Sequence, residues 1–252
     1  DYGKALDALD QANSLIIKSK THNINLTIYL KPLSLYIQLG DHFSSRIEHY
    51  SRKLREKAQR NSDQIMLGHR QLALSRYHYQ KLAFRQGITC ALKALSHFSS
   101  SNDRDDIVDS LSHLAVYETE KGDLESATGH VKEARAIFDE IHCEYLRPYL
   151  LLSEGAVTRA KGDAAAEGIL ENALATSRKM GTREITWQIQ RQLALLFLDS
   201  DDVQSSAAFY RDAIESIKQI TESIPDDAIK MSYLSLPFRK RVFDEIKTLR
   251  SK

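Results

Sequence analysis

Asp105–Ala136, DDIVDSLSHLAVYETEKGDLESATGHVKEARA, is the stretch on which the reading of the fold turns. In its first half Leu111, Leu114, Ala115 and Tyr117/Glu118 recur at helical spacing. In its second half Ala127, Val131 and Ala134 stand four and three residues apart, on one face of a helix. Alanine on that face lets a neighbouring helix come close. Between the halves, Lys121-Gly122-Asp123 reads as a hinge. Gly122 is free to take the left-handed conformation that ends a helix, and Asp123 can cap the next one by accepting backbone N–H bonds. The stretch predicts an αα-hairpin.

The same unit returns on both sides of it. The small/large/small triplet is found at Ala5/Leu9/Ala12, Gly87/Ala91/Ala94, Ala127/Val131/Ala134, Ala166/Leu170/Ala173 and Ser206/Tyr210/Ala213. The steps are about 40 residues, with one gap of about two periods. A degenerate copy is placed in that gap at Arg46/Tyr50/Lys53. The hinge repeats at Gly40-Asp41, Gly162-Asp163 and the acidic turn Ser200-Asp201-Asp202.

Over nearly the whole chain these residues resemble the tetratricopeptide repeat (TPR) family. The small residue of the first helix appears as Ala115 and Gly155, and the Gly-Asp turn appears three times. The repeats are longer than the usual TPR unit, the consensus tryptophan is missing from its place, with Trp187 about one turn too early, and the closing proline is absent. Such long, degenerate repeats are similar to those of bacterial signalling and transcription regulators. The resemblance implies an all-α fold, a right-handed α-solenoid of antiparallel helix pairs with a C-terminal capping helix. The expected divisions are a half repeat at 1–20, repeats at 24–60, 63–99, 104–142, 144–180 and 182–224, and the cap at 226–251. Pro32 falls inside the first helix of the first full repeat, which predicts a start near Lys31 or a kink. Asp1 aligns with Asp123, so the first helix has no partner before it, and the chain is expected to be a piece of a longer protein.

Composition narrows the function classes. The chain has 252 residues, 42% apolar and 27% charged, with net charge +1, so there is no global charge argument for nucleic acid or an anionic membrane. Two cysteines, Cys90 and Cys143, suit a reducing cytosol rather than a disulfide scaffold. No apolar run reaches the roughly 18 residues of a membrane span, and no signal peptide is visible. The reading is cytoplasmic.

The chemistry searched for is missing. There is no GxxxxGK[ST], no GxGxxG after a strand, no HExxH and no CxxC. The nine histidines are scattered, and neither cysteine has an identifiable orienting partner. Asp103, Asp105 and Asp106 sit where a helix starts, where the helix dipole accounts for them. Arg46–Arg60, RIEHYSRKLREKAQR, carries six Lys/Arg against two Glu, but no reading element for nucleic acid accompanies it, and a solvated face is the simpler account. The chain is read as a non-enzyme with no cofactor and no metal.

In TPR arrays the first helices line a concave groove. Carried over by alignment, the resemblance turns Lys31, His69, Arg76, Tyr79 and Arg191 toward an open furrow, as candidate partner-binding residues. A mildly cationic groove of this kind suits a peptide bearing carboxylates. The expected function is a non-catalytic protein–protein interaction scaffold, the regulatory or sensor part of a larger signalling or transcription regulator. Its partner would be a protein, a peptide or another domain of the parent chain, with no direct nucleic-acid or membrane contact. The alternative is a metabolite sensor, which would show a deep apolar pocket with few polar groups.

Overall fold

The computed structural model describes residues 1–19 and 26–250. Among them there is no strand, and the helices follow one another with short connections. They are α1 (Tyr2–Ser19), α2 (Thr27–Leu39), α3 (Ser44–Arg60), α4 (Gln64–Gln80), α5 (Phe84–Ser101), α6 (Arg104–Lys121) and α7 (Leu124–Ile141). Then come α8 (Arg147–Ala160), α9 (Ala166–Lys179), α10 (Arg183–Asp199), α11 (Val203–Glu222), α12 (Asp227–Ser235) and α13 (Pro237–Arg250). Short 3-10 turns precede α3 and α8. The turn expected at Thr21–Asn23 lies outside the described residues. α2 begins at Thr27, before Lys31, and carries Pro32 buried within it.

Helices α2/α3, α4/α5, α6/α7, α8/α9 and α10/α11 pack as neighbouring pairs, and each pair stacks on the next, an all-α, solenoid-like arrangement. The triplets are what make the pairs close. Gly87/Ala91/Ala94, Ala166/Leu170/Ala173 and Ser206/Tyr210/Ala213 are fully buried, as are Ala127 and Ala134. In α1, Ala5 is exposed and Leu9 and Ala12 are half-buried. The triplet read into α3 is one residue out of phase: Ile47, Ser51, Leu54 and Ala58 are buried, while Arg46 is exposed. The small residues of the first helices receive the large ones of the second. A methyl group added at Gly155 would stand 2.4 Å from Leu170 Cδ2, and Ala115 packs with Ala127 and Val131. Ser75 takes the same place forty residues before Ala115; it is buried and donates to the Gly87 carbonyl at 2.8 Å.

The ends of the helices explain the regular period. From α3 to α10, positive φ occurs at residues 62, 82, 102, 122, 142, 162, 181 and 201, a step of about twenty residues that closes one helix each time. Only three of these eight are glycine, so the turn also bends through Ser62, Leu82, Asn102, His142 and Asp201. Asp63, Asp103, Asp123 and Asp202 follow and cap the next helix, each accepting from the backbone N–H three residues on.

The tail departs from its expected role. α13 does cover α11, as a terminal cap should, but it also runs back to α4, and α12 packs on α2. The single apolar helix read over this region is two helices, parted at Leu236-Pro237. The furrow expected to stand open is filled by the chain's own C-terminal helix. No helix among the described residues is long and apolar enough to cross a membrane.

Candidate functional site

The first helices of all five pairs turn toward one place, and there α13 meets them. What remains is a cavity of about 100 Å³. Its wall includes Gln38 of α2, Arg76 and Tyr79 of α4, Ser112 and Val116 of α6, Tyr149 and Leu152 of α8, and Trp187 and Gln188 of α10. Phe238, the second residue of α13, closes the remaining side. Its ring lies 4.5 Å from that of Tyr79 and 5.3 Å from that of Trp187, while Tyr79 stacks on Tyr117 at 4.4 Å.

Two charge clusters hold the tail in place. In the first, Arg191 donates to Glu245 of α13 through Nε and Nη2, at 2.9 and 2.8 Å, and to Glu120 of α6 through Nη1 at 2.6 Å. Arg241 of α13 donates to Glu120 and Glu245, both at 2.9 Å. Two cations thus face two carboxylates, with Arg191 only 1% exposed. Burial alone would raise the Glu120 carboxyl, but Arg191 and Arg241 outweigh it and hold it below its ordinary value.

The second cluster gathers both ends of the chain. Glu184, at the start of α10, accepts from Tyr2 Oη at 2.6 Å, Tyr233 Oη at 2.9 Å, Trp187 Nε1 at 3.1 Å and Arg239 Nη2 at 3.3 Å. Burial pushes against its charge, yet Arg239 and these hydrogen bonds keep its carboxyl below the usual range. Arg239 also donates to the Gln38 and Tyr233 carbonyls. α1, α10, α12 and α13 meet at this one carboxylate, and α2 joins through Gln38, which accepts from Tyr2 and Arg239.

At the mouth of the cavity, Arg76 donates through Nη2 to Asp109 at 2.5 Å and through Nε to His113 Nε2 at 3.1 Å. Arginine can only donate, so His113 accepts there and turns Nδ1 toward Asp109, whose Oδ1 is 3.0 Å away. Burial disfavours the Asp109 charge, but Arg76 and then His113 overcome it and hold the carboxyl far below the carboxylate range.

The structure brings three of the five sequence-read residues to this place. Tyr79 and Arg76 line the cavity, and the Arg191 guanidinium lies 5.3 Å from the Phe238 ring centre. His69 does not line the cavity; its Nε2 pairs with Asp106 at 3.1 Å. Lys31 is exposed on α2, away from it. The groove is not cationic, because Arg76 and Arg191 are each met by carboxylates. Phe238, Arg239, Glu245, Glu120 and Glu184 were not singled out by the sequence. Partners 54 and 121 positions apart leave no local signal, although Pro237 immediately before Phe238 marks where α13 starts. Among the described residues no group of His, Cys, Asp and Glu is arranged to hold a metal ion.

No protein-family model matches the chain, and no curated protein sequence matches it.

Proposed function

We propose that the chain is a non-catalytic, TPR-like scaffold whose inner face takes a helix as its ligand, with α13 as the resident occupant. The observation that carries this is the docking of α13 across α4, α6, α10 and α11. It buries Phe238, Val242 and Ile246 and satisfies Glu245 with Arg191. This is helix-in-groove recognition, with apolar anchors at helical spacing and charge pairs that set the register. In a longer regulator, a helix offered by a partner or by a neighbouring domain would compete for the same face, and release of α13 would be the signal.

The test uses a fluorescent peptide copying residues 227–250, titrated with the full chain and with its Phe238→Ala/Glu245→Lys variant, whose own tail is loosened. The variant is expected to bind the peptide at least tenfold more tightly than the unaltered chain. Equal absence of binding by both rejects the reading. A second reading, a small-molecule sensor, is favoured by one observation: a cavity persists beside the docked helix, walled by aromatic rings, although its lining is more polar than the apolar pocket expected.

A further inference from the structure

We infer that the cavity beside Phe238 is a binding site for an uncharged, planar, ring-sized molecule carrying an amide-like edge, one that both donates and accepts a hydrogen bond. The inference rests on the sensor reading and names the ligand class for it.

Size comes first. The cavity measures about 100 Å³, and an apolar protein cavity of roughly 150 Å³ takes up benzene. The cavity here is smaller than that one, so a single flat ring is the most it encloses and any substituent reaches toward its open side. Five aromatic side chains, Tyr79, Tyr117, Tyr149, Trp187 and Phe238, supply the wall, and such faces favour flat partners.

Polarity comes next. Ser112 Oγ, Tyr117 Oη and Gln80 Oε1 all belong to lining residues and are buried with no hydrogen-bond partner in the protein. Ser112 is only 2% exposed and sits in the middle of α6. A buried polar atom left unpaired is costly, and native structures rarely keep one without use. A hydroxyl can donate, and the Gln80 oxygen must accept. A ligand that satisfies them therefore offers an acceptor oxygen, whose two lone pairs can serve both hydroxyls, and one N–H or O–H donor for Gln80. An amide does so, and it would also serve a side-chain amide turned the other way.

Charge settles the remaining choice. The ionic groups of the lining are already neutralised within the protein, Arg76 by Asp109 and Glu184 by Arg239. A carboxylate ligand would meet those acids with no cation left over, and a cationic ligand would meet the two arginines. The uncharged molecule is the one that fits.

Trp187 is the only tryptophan in the chain and it lines the cavity, so its fluorescence reports on the site directly. The full chain is titrated with three probes of matched size: benzamide, benzoate and toluene. Benzamide is expected to change Trp187 emission saturably, and benzoate to bind at least tenfold more weakly. Ser112→Ala is expected to weaken benzamide at least fivefold and to leave toluene unchanged. Gln80→Leu, at a half-buried position that tolerates the change, is expected to act in the same direction. No saturable change with any probe overturns the site, leaving a cavity that holds only water. Benzoate binding as well as benzamide, or benzamide binding that ignores both substitutions, overturns the ligand class. The labelled-peptide titration stands apart from these outcomes, since it reads α13 exchange with no probe present.

Discussion

On α7 only Ala127, Ala134 and Phe138 are fully covered, one stripe at helical spacing. On α10 almost everything from Ile185 to Ala194 is buried, including Gln190, Arg191 and Gln192. The two helices are of similar length and lie in neighbouring parts of one array. α7 has a protein surface on one side and solvent on the other. α10 has its pair partner and its neighbours on one side and the tail on the other. An outer helix therefore spends its polar residues on water, whereas an inner helix must place them against charges brought from elsewhere. The comparison teaches that the inner face owes its integrity to α13, and the outer face to the repeat alone.

The strongest way to break that comparison is to remove Arg191. Arg191→Ala leaves Glu120 and Glu245 facing each other with only Arg241 between them, and is expected to cost about 3–5 kcal/mol in denaturant unfolding. The outer counterpart is Arg104→Ala, which removes the exposed 2.6 Å pair to Glu140. It is expected to change stability by less than about 0.5 kcal/mol in the same assay. Similar effects at both sites would mean that inner and outer ion pairs do not differ.

The second prediction concerns pH, and it sets two kinds of carboxylate on the first helices against each other. Asp106, beside His69, has its carboxyl pushed up to about 7 by burial and then by Asp103 and Asp109. The folded state keeps a proton that the unfolded chain releases near its ordinary value of 3.8. Stability from this group therefore falls as pH rises from about 4 to 7 and is flat above. Asp106→Asn is expected to remove that fall and to stabilise the protein at pH 8 by up to about 3 kcal/mol. Thermal melts at pH 5 and pH 8 check it; an equal effect at both sinks it. Glu120 and Glu184 behave in the opposite sense. Their lowered carboxyls contribute stability above about pH 4.5 that is lost as pH falls below it, so acid should free the tail, seen as a change in Trp187 emission before global unfolding.

A smaller effect sharpens the seam between the two faces. Gly155→Ala puts a methyl group 2.4 Å from Leu170 Cδ2 and 2.6 Å from its Cγ, with Leu170 fully buried. The pair α8/α9 must part slightly, at a cost of about 1–3 kcal/mol. The same change at Gly129, which has nothing within 4 Å, is expected to stabilise by a few tenths to about 1 kcal/mol through helix propensity. At the hinge, Asp123→Ala removes the cap on Ser126 N and should cost about 1 kcal/mol. Paired chemical melts of each variant give the ordering directly.

Two things were legible in the chain before any tertiary structure. The triplets named the helix faces that pair, because a helix buried on one side must repeat its small and large residues with the helical period. The Gly-Asp hinges named three of the turns, at Gly40, Gly122 and Gly162, because few residues adopt positive φ easily and few cap as well as aspartate. Local periodicity also misplaced the α3 stripe by one residue, where charge dominates the helix and apolar residues are sparse. Nothing in one dimension could show that Arg191 meets Glu245, that Glu184 gathers residues from both ends, or that Ser112 is left unpaired beside Phe238. Those contacts join segments far apart in sequence, and burial on a second side is a property of how the array curves back on its own tail. The repeat was determined by the order of residues; whether its inner face is open, filled or hollow was decided only by the packing of the whole.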